Sequence, residues 1–280
     1  GENGLIDRMH HFLEVVGLEG DVYRIGLRQT VSPVARPDLA ERLLEARKKM
    51  REILDAREIS DLVESFDAEK YNNNASVAEN ILFGTPVGET FEIENLGHNE
   101  YVMSVLDKTG LREEFIQKGQ RLAEIMIDLF QGLPPDHEFW ERFSFISSDD
   151  LPEFQAILKR IGQRGLKNAT EEDRTELVEL PFRLIPARHH LGLVDDEFSD
   201  RILEARKEFA ESLPEELADS VVFFEAGSYN AAASMQDNIL FGKRASERAD
   251  SEAIVSQVLA EVVNETGLRN EVINLGLDFD

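Results

Sequence analysis

Cysteine is absent from the 280 residues. That excludes disulfides and thiolate chemistry and fits a reducing compartment. No run of 18 apolar residues occurs either, so no membrane-spanning helix and no direct membrane insertion are expected. Basic residues are scarce: 30 Lys and Arg stand against 56 Asp and Glu, a net charge of −26. Such a field repels phosphate backbones and anionic lipid surfaces at long range, so nucleic acid is not an expected partner. The start, Gly1-Glu2-Asn3-Gly4-Leu5-Ile6-Asp7, has no basic region followed by an apolar one, so no secretory signal is expected. The missing initiator Met predicts a piece excised from a longer chain.

The familiar chemical signatures are missing as well. There is no Gly-x-x-x-x-Gly-Lys-Ser/Thr, no Gly-x-Gly-x-x-Gly, no His-Glu-x-x-His and no Cys-based metal site. The six histidines are His10, His11, His98, His137, His189 and His190. On a helix, neighbours such as His10 and His11 point about 100° apart and do not readily share one ion. No catalytic, cofactor-binding or metal-ligating residue is assigned. Asp149-Asp150 reads as a helix cap. The stripe Phe139, Trp140, Phe143 and Phe145 reads as core or as a docking face.

What is present is a core's worth of apolar residues, 42% of a length suited to one large domain or two ordinary ones. Periodicity of 3.6 predicts helices over 1–21 (Leu5, Ile6, Met9, Phe12, Leu13, Val16), 38–55, 59–66, 101–110, 111–130, 150–161 and 170–180. Val22 to Val31 reads as loop or extended, closed by Pro33 and Pro37. Thr170 opens its helix with a Thr-x-x-Asp spacing.

The most telling stretch is Ser76-Val77-Ala78-Glu79-Asn80-Ile81-Leu82-Phe83-Gly84. It returns as Ser234-Met235-Gln236-Asp237-Asn238-Ile239-Leu240-Phe241-Gly242, with six of nine positions identical. Each copy reads as a short helix with a Ser N-cap and an acid three residues on. Gly84 and Gly242 are expected as its left-handed stops. Other segments repeat at nearly the same distance. Arg42 to Lys48 returns as Arg201 to Lys207, and Phe66-Asp67-Ala68 as Phe224-Glu225-Ala226. Tyr71-Asn72 returns as Tyr229-Asn230, and Thr109 to Arg112 as Thr266 to Arg269. The pattern predicts an all-α chain with an internal duplication. Lobe 1 covers 1–121 (repeat 22–121), a helical connector 122–180, and lobe 2 181–280. Keeping these residues twice is explained either by equivalent core positions or by function.

Ser-x-x-acid-Asn-Ile-x-x-Gly, followed by a helix and then Gly-Leu and an acidic, apolar helix, resembles the α-helical subdomain of ABC-transporter ATPases, between the Q-loop and the signature. Thr266 to Ile273 is similar to the family's later helix, and Asn274 to Asp280 to the stretch just before the signature. The likeness covers about 50 residues of each copy. Ala68 and Ala226 stand where the family carries its Q-loop glutamine, and Walker A, Walker B and the signature have no counterpart here. The resemblance implies a non-catalytic helical region that couples nucleotide state to transport by protein–protein contact. Its partners would be the transmembrane domain or the nucleotide-binding core, at the cytoplasmic face of the membrane. No cofactor is implied for this region, ATP and Mg belonging to the parent. It implies that Tyr71, Asn72, Asn80 and Phe83, with Tyr229, Asn230, Asn238 and Phe241, lie at a coupling interface. The alternatives are a free-standing helical scaffold or adaptor and a carboxylate/His metal-dependent enzyme.

Overall fold

A computed structural model describes residues 8, 9, 11, 15, 17–143 and 146–278, with backbone alone for Glu141 and Arg142. The helix expected over 1–21 falls largely outside them, as do Leu5, Ile6, His10, Phe12, Leu13, Val16, Phe145, Phe279 and Asp280. Helix makes up 63% and strand 5%, the latter in two short two-stranded sheets. The helical class read from periodicity therefore holds.

Two compact units partition the chain, and neither follows a sequence copy. One joins 1–66 to 222–280; the other is the continuous stretch 67–221. Each unit therefore takes its long helix from one copy and its Ser-x-x-acid-Asn helix from the other. The expected division at 121 and 180 runs along the copies, whereas the packing crosses them.

In the first unit the long helix is Pro37–Ala56, with Pro37 in its first turn, where a missing N–H costs nothing. Asp38 sits in the same first turn, where an acid favours the helix start. Leu39, Leu43, Ala46, Met50 and Leu54 recur every three or four residues and are buried against Met235–Leu240 and Ser251–Glu265. Glu19–Leu27 is a helix, where a loop or extended segment is expected over 22–31. Its β-branched and aromatic residues are overridden by packing on Arg269–Leu277. Gly26 and Gly276 let the two backbones touch: a Cβ on Gly26 would lie 2.8 Å from the Val272 carbonyl carbon, and one on Gly276 would meet Val22. The helix expected near 59–66 is a 3-10 turn, Ser60–Leu62, followed by the strand Val63–Ser65. That strand pairs antiparallel with Gly242–Arg244, Val63 opposite Arg244 and Ser65 opposite Gly242. Hydrogen bonds to a partner strand outweigh a weak local helical preference here.

In the second unit Asp196–Glu211 buries Phe198, Ile202, Ala205, Arg206 and Phe209, and it packs on Val77–Leu82 and Glu100–Lys108. Arg112–Phe130 crosses Glu171–Glu179 at Gly119 and also meets Leu151–Arg164. Phe115 lies between Phe182 and Phe198, at ring separations of 4.9 and 5.8 Å. Residues 122–180, expected as a connector, fall within the continuous stretch 67–221. Its further helices there are Glu138–Arg142, Leu151–Arg164 and Glu171–Glu179, the last capped by the Thr170 side chain, which accepts from the Asp173 N–H.

Candidate functional site

The doubled helix is Val77–Leu82 in one unit and Met235–Leu240 in the other. Ser76 accepts from the Glu79 N–H at 3.1 Å, and Glu79 accepts from the Ser76 N–H at 2.8 Å, which closes a full capping box. Asp237 is one methylene shorter. Its N–H still donates to Ser234 Oγ at 3.1 Å, but its carboxylate accepts from the Ser234 hydroxyl instead. Glu79→Ala is expected to cost about 1 kcal/mol in urea unfolding, and Asp237→Ala less, because only the former frees a backbone donor.

The left-handed stop is not the glycine. Phe83 and Phe241 adopt φ of 40° and 42°, and Gly84 and Gly242 open the strands that follow. Gly242 is required by close approach, since a Cβ there would stand 2.9 Å from Ser65 Cα. A left-handed Phe is strained by about 1–2 kcal/mol. An arginine offsets that strain in each unit.

Arg47, on the long helix of the first unit, is only 5% exposed, and its guanidinium carbon sits 4.3 Å from the centre of the Phe241 ring. Its Nε donates to Asn238 O at 2.7 Å and its Nη2 to Asn238 Oδ1 at 3.1 Å. Its Nη1 reaches the carbonyls of Ala226 and Ser228 at 2.9 and 3.0 Å. Arg206 does the same in the second unit. Nε meets Asn80 O at 2.7 Å, Nη2 meets Asn80 Oδ1 at 3.0 Å, and Nη1 meets Asp67 O, Ala68 O and Lys70 O between 2.8 and 3.0 Å. Its guanidinium carbon lies 4.3 Å from the Phe83 ring centre. No carboxylate is among these hydrogen-bond partners. The charge is held by a cage of carbonyl dipoles, which only the planar five-donor fork of Arg can fill. Burial pulls both arginines down to about 10, so both stay protonated at neutral pH.

The asparagines close the cage from inside. Asn80 Oδ1 accepts from the Asn72 N–H at 2.8 Å, and Asn80 Nδ2 donates to Asn72 O and Ser76 O at 2.9 and 3.0 Å. Asn238 repeats this with Asn230 and Ser234 at 2.9, 2.8 and 3.1 Å. A second arginine pair accounts for the glycine of Thr-Gly-Leu-Arg. Arg42 Nη2 donates to Gly267 O at 2.6 Å and Arg201 Nη2 to Gly110 O at 2.8 Å. Each thereby caps a helix end whose glycine has φ near +66°.

Of the residues the resemblance places at an interface, Asn72, Asn80, Asn230, Asn238 and Phe241 are buried, while Tyr71, Phe83 and Tyr229 are half-buried. The geometry gathers them into two separate clamps. Sequence reasoning missed Arg47 and Arg206. The signal was there: Arg47 falls four residues after Leu43 and three before Met50, on the apolar face of its helix.

Among the described residues no group of three or more His, Asp or Glu gathers as metal ligands, and no helix is long and apolar enough to cross a membrane. His189 is buried, its Nδ1 accepting from the Ile185 N–H at 2.9 Å. Glu179 is the notable carboxylate of the second unit. Gly97 presses on its stem, and its buried Oε1 makes no hydrogen bond. His98 Nε2 stands 3.1 Å away, an ion pair only when the ring is protonated. Burial raises the Glu179 pKa above the usual 4.5, with His98 and Arg183 opposing and Glu176 adding to the rise. A raised carboxyl favours the fold while protonated. Its contribution is therefore full below about pH 4.5 and is lost as pH climbs through the folded value. The thermal midpoint of Glu179→Gln, scanned from pH 4 to 8, is expected to fall less than that of the unaltered chain.

Comparison with protein-family models, with curated proteins and with solved structures found no match.

Proposed function

We propose that this chain is a non-catalytic helical module that works by protein–protein contact, as a scaffold or adaptor. The observation that carries this is the fate of the doubled motif. Its Asn groups and the arginines that close on them are spent on the chain's own backbone, in two matching clamps, so they hold the helices of each unit together and are not offered to a small ligand. A −26 chain held this way presents an acidic surface suited to basic protein.

A second reading, the helical region of an ABC-type ATPase, is favoured by the order of segments from Ser234 to Leu277. It keeps the same mode of action and adds a parent. There the clamps would let the region move as a rigid body when the nucleotide state changes.

Isothermal titration with Mg-ATP and thermal shift with Zn²⁺, Mn²⁺ and Mg²⁺ test the non-catalytic reading. Flat responses are expected; micromolar binding of the nucleotide, or a metal-induced rise in midpoint, overturns it.

A further inference from the structure

The two helix pairs that meet through glycine differ at one point. In the first unit Gly276 lies against Val22, and in the second Gly119 lies against Leu177. Each glycine comes seven residues after the arginine of a Thr-Gly-Leu-Arg segment, Arg269 and Arg112. By that register Val178 corresponds to Tyr23, and Arg174 to Glu19.

In the first unit these side chains satisfy the arginine. Arg269 Nη2 donates to Glu19 Oε1 at 2.6 Å, and its guanidinium carbon lies 5.6 Å from the Tyr23 ring centre. The second unit has neither group at these positions. A cavity of about 100 Å³ stands there instead, walled by Arg112 and Arg174, with buried Met103, Ile116 and Val178 as its apolar floor. It shares Met103, Arg112 and Thr175 with a wider groove of about 380 Å³. Both arginines keep donors unused. Arg112 Nε stands 3.3 Å from Asp107 Oδ1, and Arg174 Nη2 donates to Glu113 Oε2 at 2.6 Å. Among the described residues, the two Nη groups of Arg112 and the Nε and Nη1 of Arg174 meet no acceptor.

We propose that this cavity binds a small aromatic monocarboxylate. Its ring covers the apolar floor beside Arg112, as Tyr23 does beside Arg269, and its carboxylate accepts from Arg112 and Arg174, as Glu19 does from Arg269. One ring suits the space, since an apolar cavity of about 150 Å³ takes benzene and the adjoining groove adds room. Exposed Glu100, Asp107 and Glu171 edge the site on a chain of charge −26, which disfavours phosphates and other multiply charged anions. The site goes beyond the protein-contact reading and does not depend on it.

The intact chain is titrated calorimetrically with phenylacetate, with acetate, which lacks the ring, and with 2-phenylethylamine, which reverses the charge. Saturable binding of phenylacetate is expected, with the other two at least about tenfold weaker. The Met103 methyl resonance, one of five from methionine, is expected to move with it. Arg174→Gln is expected to weaken phenylacetate about tenfold by removing a charged donor. Val178→Tyr, which supplies the ring from within, is expected to abolish binding. Circular dichroism checks that both variants stay folded, and Arg174→Gln, at a partly exposed position, decides alone if the larger ring is not accommodated. No binding of phenylacetate, equal binding of acetate or the amine, binding that leaves Met103 unmoved, or an unchanged affinity in folded Arg174→Gln overturns the proposal.

Discussion

Arg206→Met is expected to destabilise the unit 67–221 by about 3–5 kcal/mol, a large part of what a domain of ordinary stability has. The methionine fills much of the volume but supplies no donor. Asn80 O and Oδ1, with the carbonyls of Asp67, Ala68 and Lys70, then lose the guanidinium that satisfies them. A buried acceptor left unmet costs about 1–3 kcal/mol. The left-handed Phe83 also loses the cation over its ring. Arg206→Lys is expected to recover little, since one ammonium cannot span acceptors arranged for a planar fork. Arg47→Met is expected to act likewise on the other unit, through Asn238. Urea unfolding followed by circular dichroism gives the magnitude, and hydrogen exchange should show the turn 67–72 losing protection first. Because Arg206 and Asn80 share one cage, Arg206→Met with Asn80→Ala should cost less than the sum of the single changes. A loss below about 1 kcal/mol for Arg206→Met would refute the clamp as described.

Gly119→Ala is the second large effect. A methyl there would lie 2.6 Å from the Leu177 carbonyl carbon and 3.1 Å from its Cα. These are backbone atoms of Glu171–Glu179, which cannot turn aside as a flexible side chain would. The helices must part, at a cost of about 3 kcal/mol or more from lost packing. Gly26→Ala faces the same obstacle from Val272 in the other unit. Gly162→Ala is the contrasting case. It lies in the exposed interior of Leu151–Arg164 with nothing near an added methyl. It should stabilise the chain by about 0.5–1 kcal/mol, since alanine outranks glycine in a helix. Thermal midpoints of the three variants are expected to move in these opposite directions.

The capping spacings are legible in the residues alone. Ser76 with Glu79 forms the reciprocal box, and Ser234 with Asp237 only half of it, as side-chain length dictates. The all-helical class follows from periodicity for the same local reason. Legibility stops where a segment is decided by what it touches. Glu19–Leu27 carries strand-like residues yet is helical because Arg269–Leu277 packs on it. Val63–Ser65 is a strand because Gly242–Arg244 lies alongside. The left-handed residue comes one place earlier than the sequence suggests. A glycine next to a helix end is the ordinary sign of such a stop, but here Phe83 and Phe241 take that conformation under an arginine.

The sequence by itself determined which residues recur: Arg42 with Arg47, Phe-acid-Ala, Tyr-Asn, Asn-Ile-Leu-Phe-Gly and Thr-Gly-Leu, each with its later counterpart. Only the tertiary structure decided their partners. Arg47 of the first copy closes on Asn238 of the second, and Arg206 of the second on Asn80 of the first. Spacing along a chain records which side chains recur. It does not record which of two equivalent cages a guanidinium will fill, because both offer the same carbonyl geometry and the choice is made by where the long helices pack.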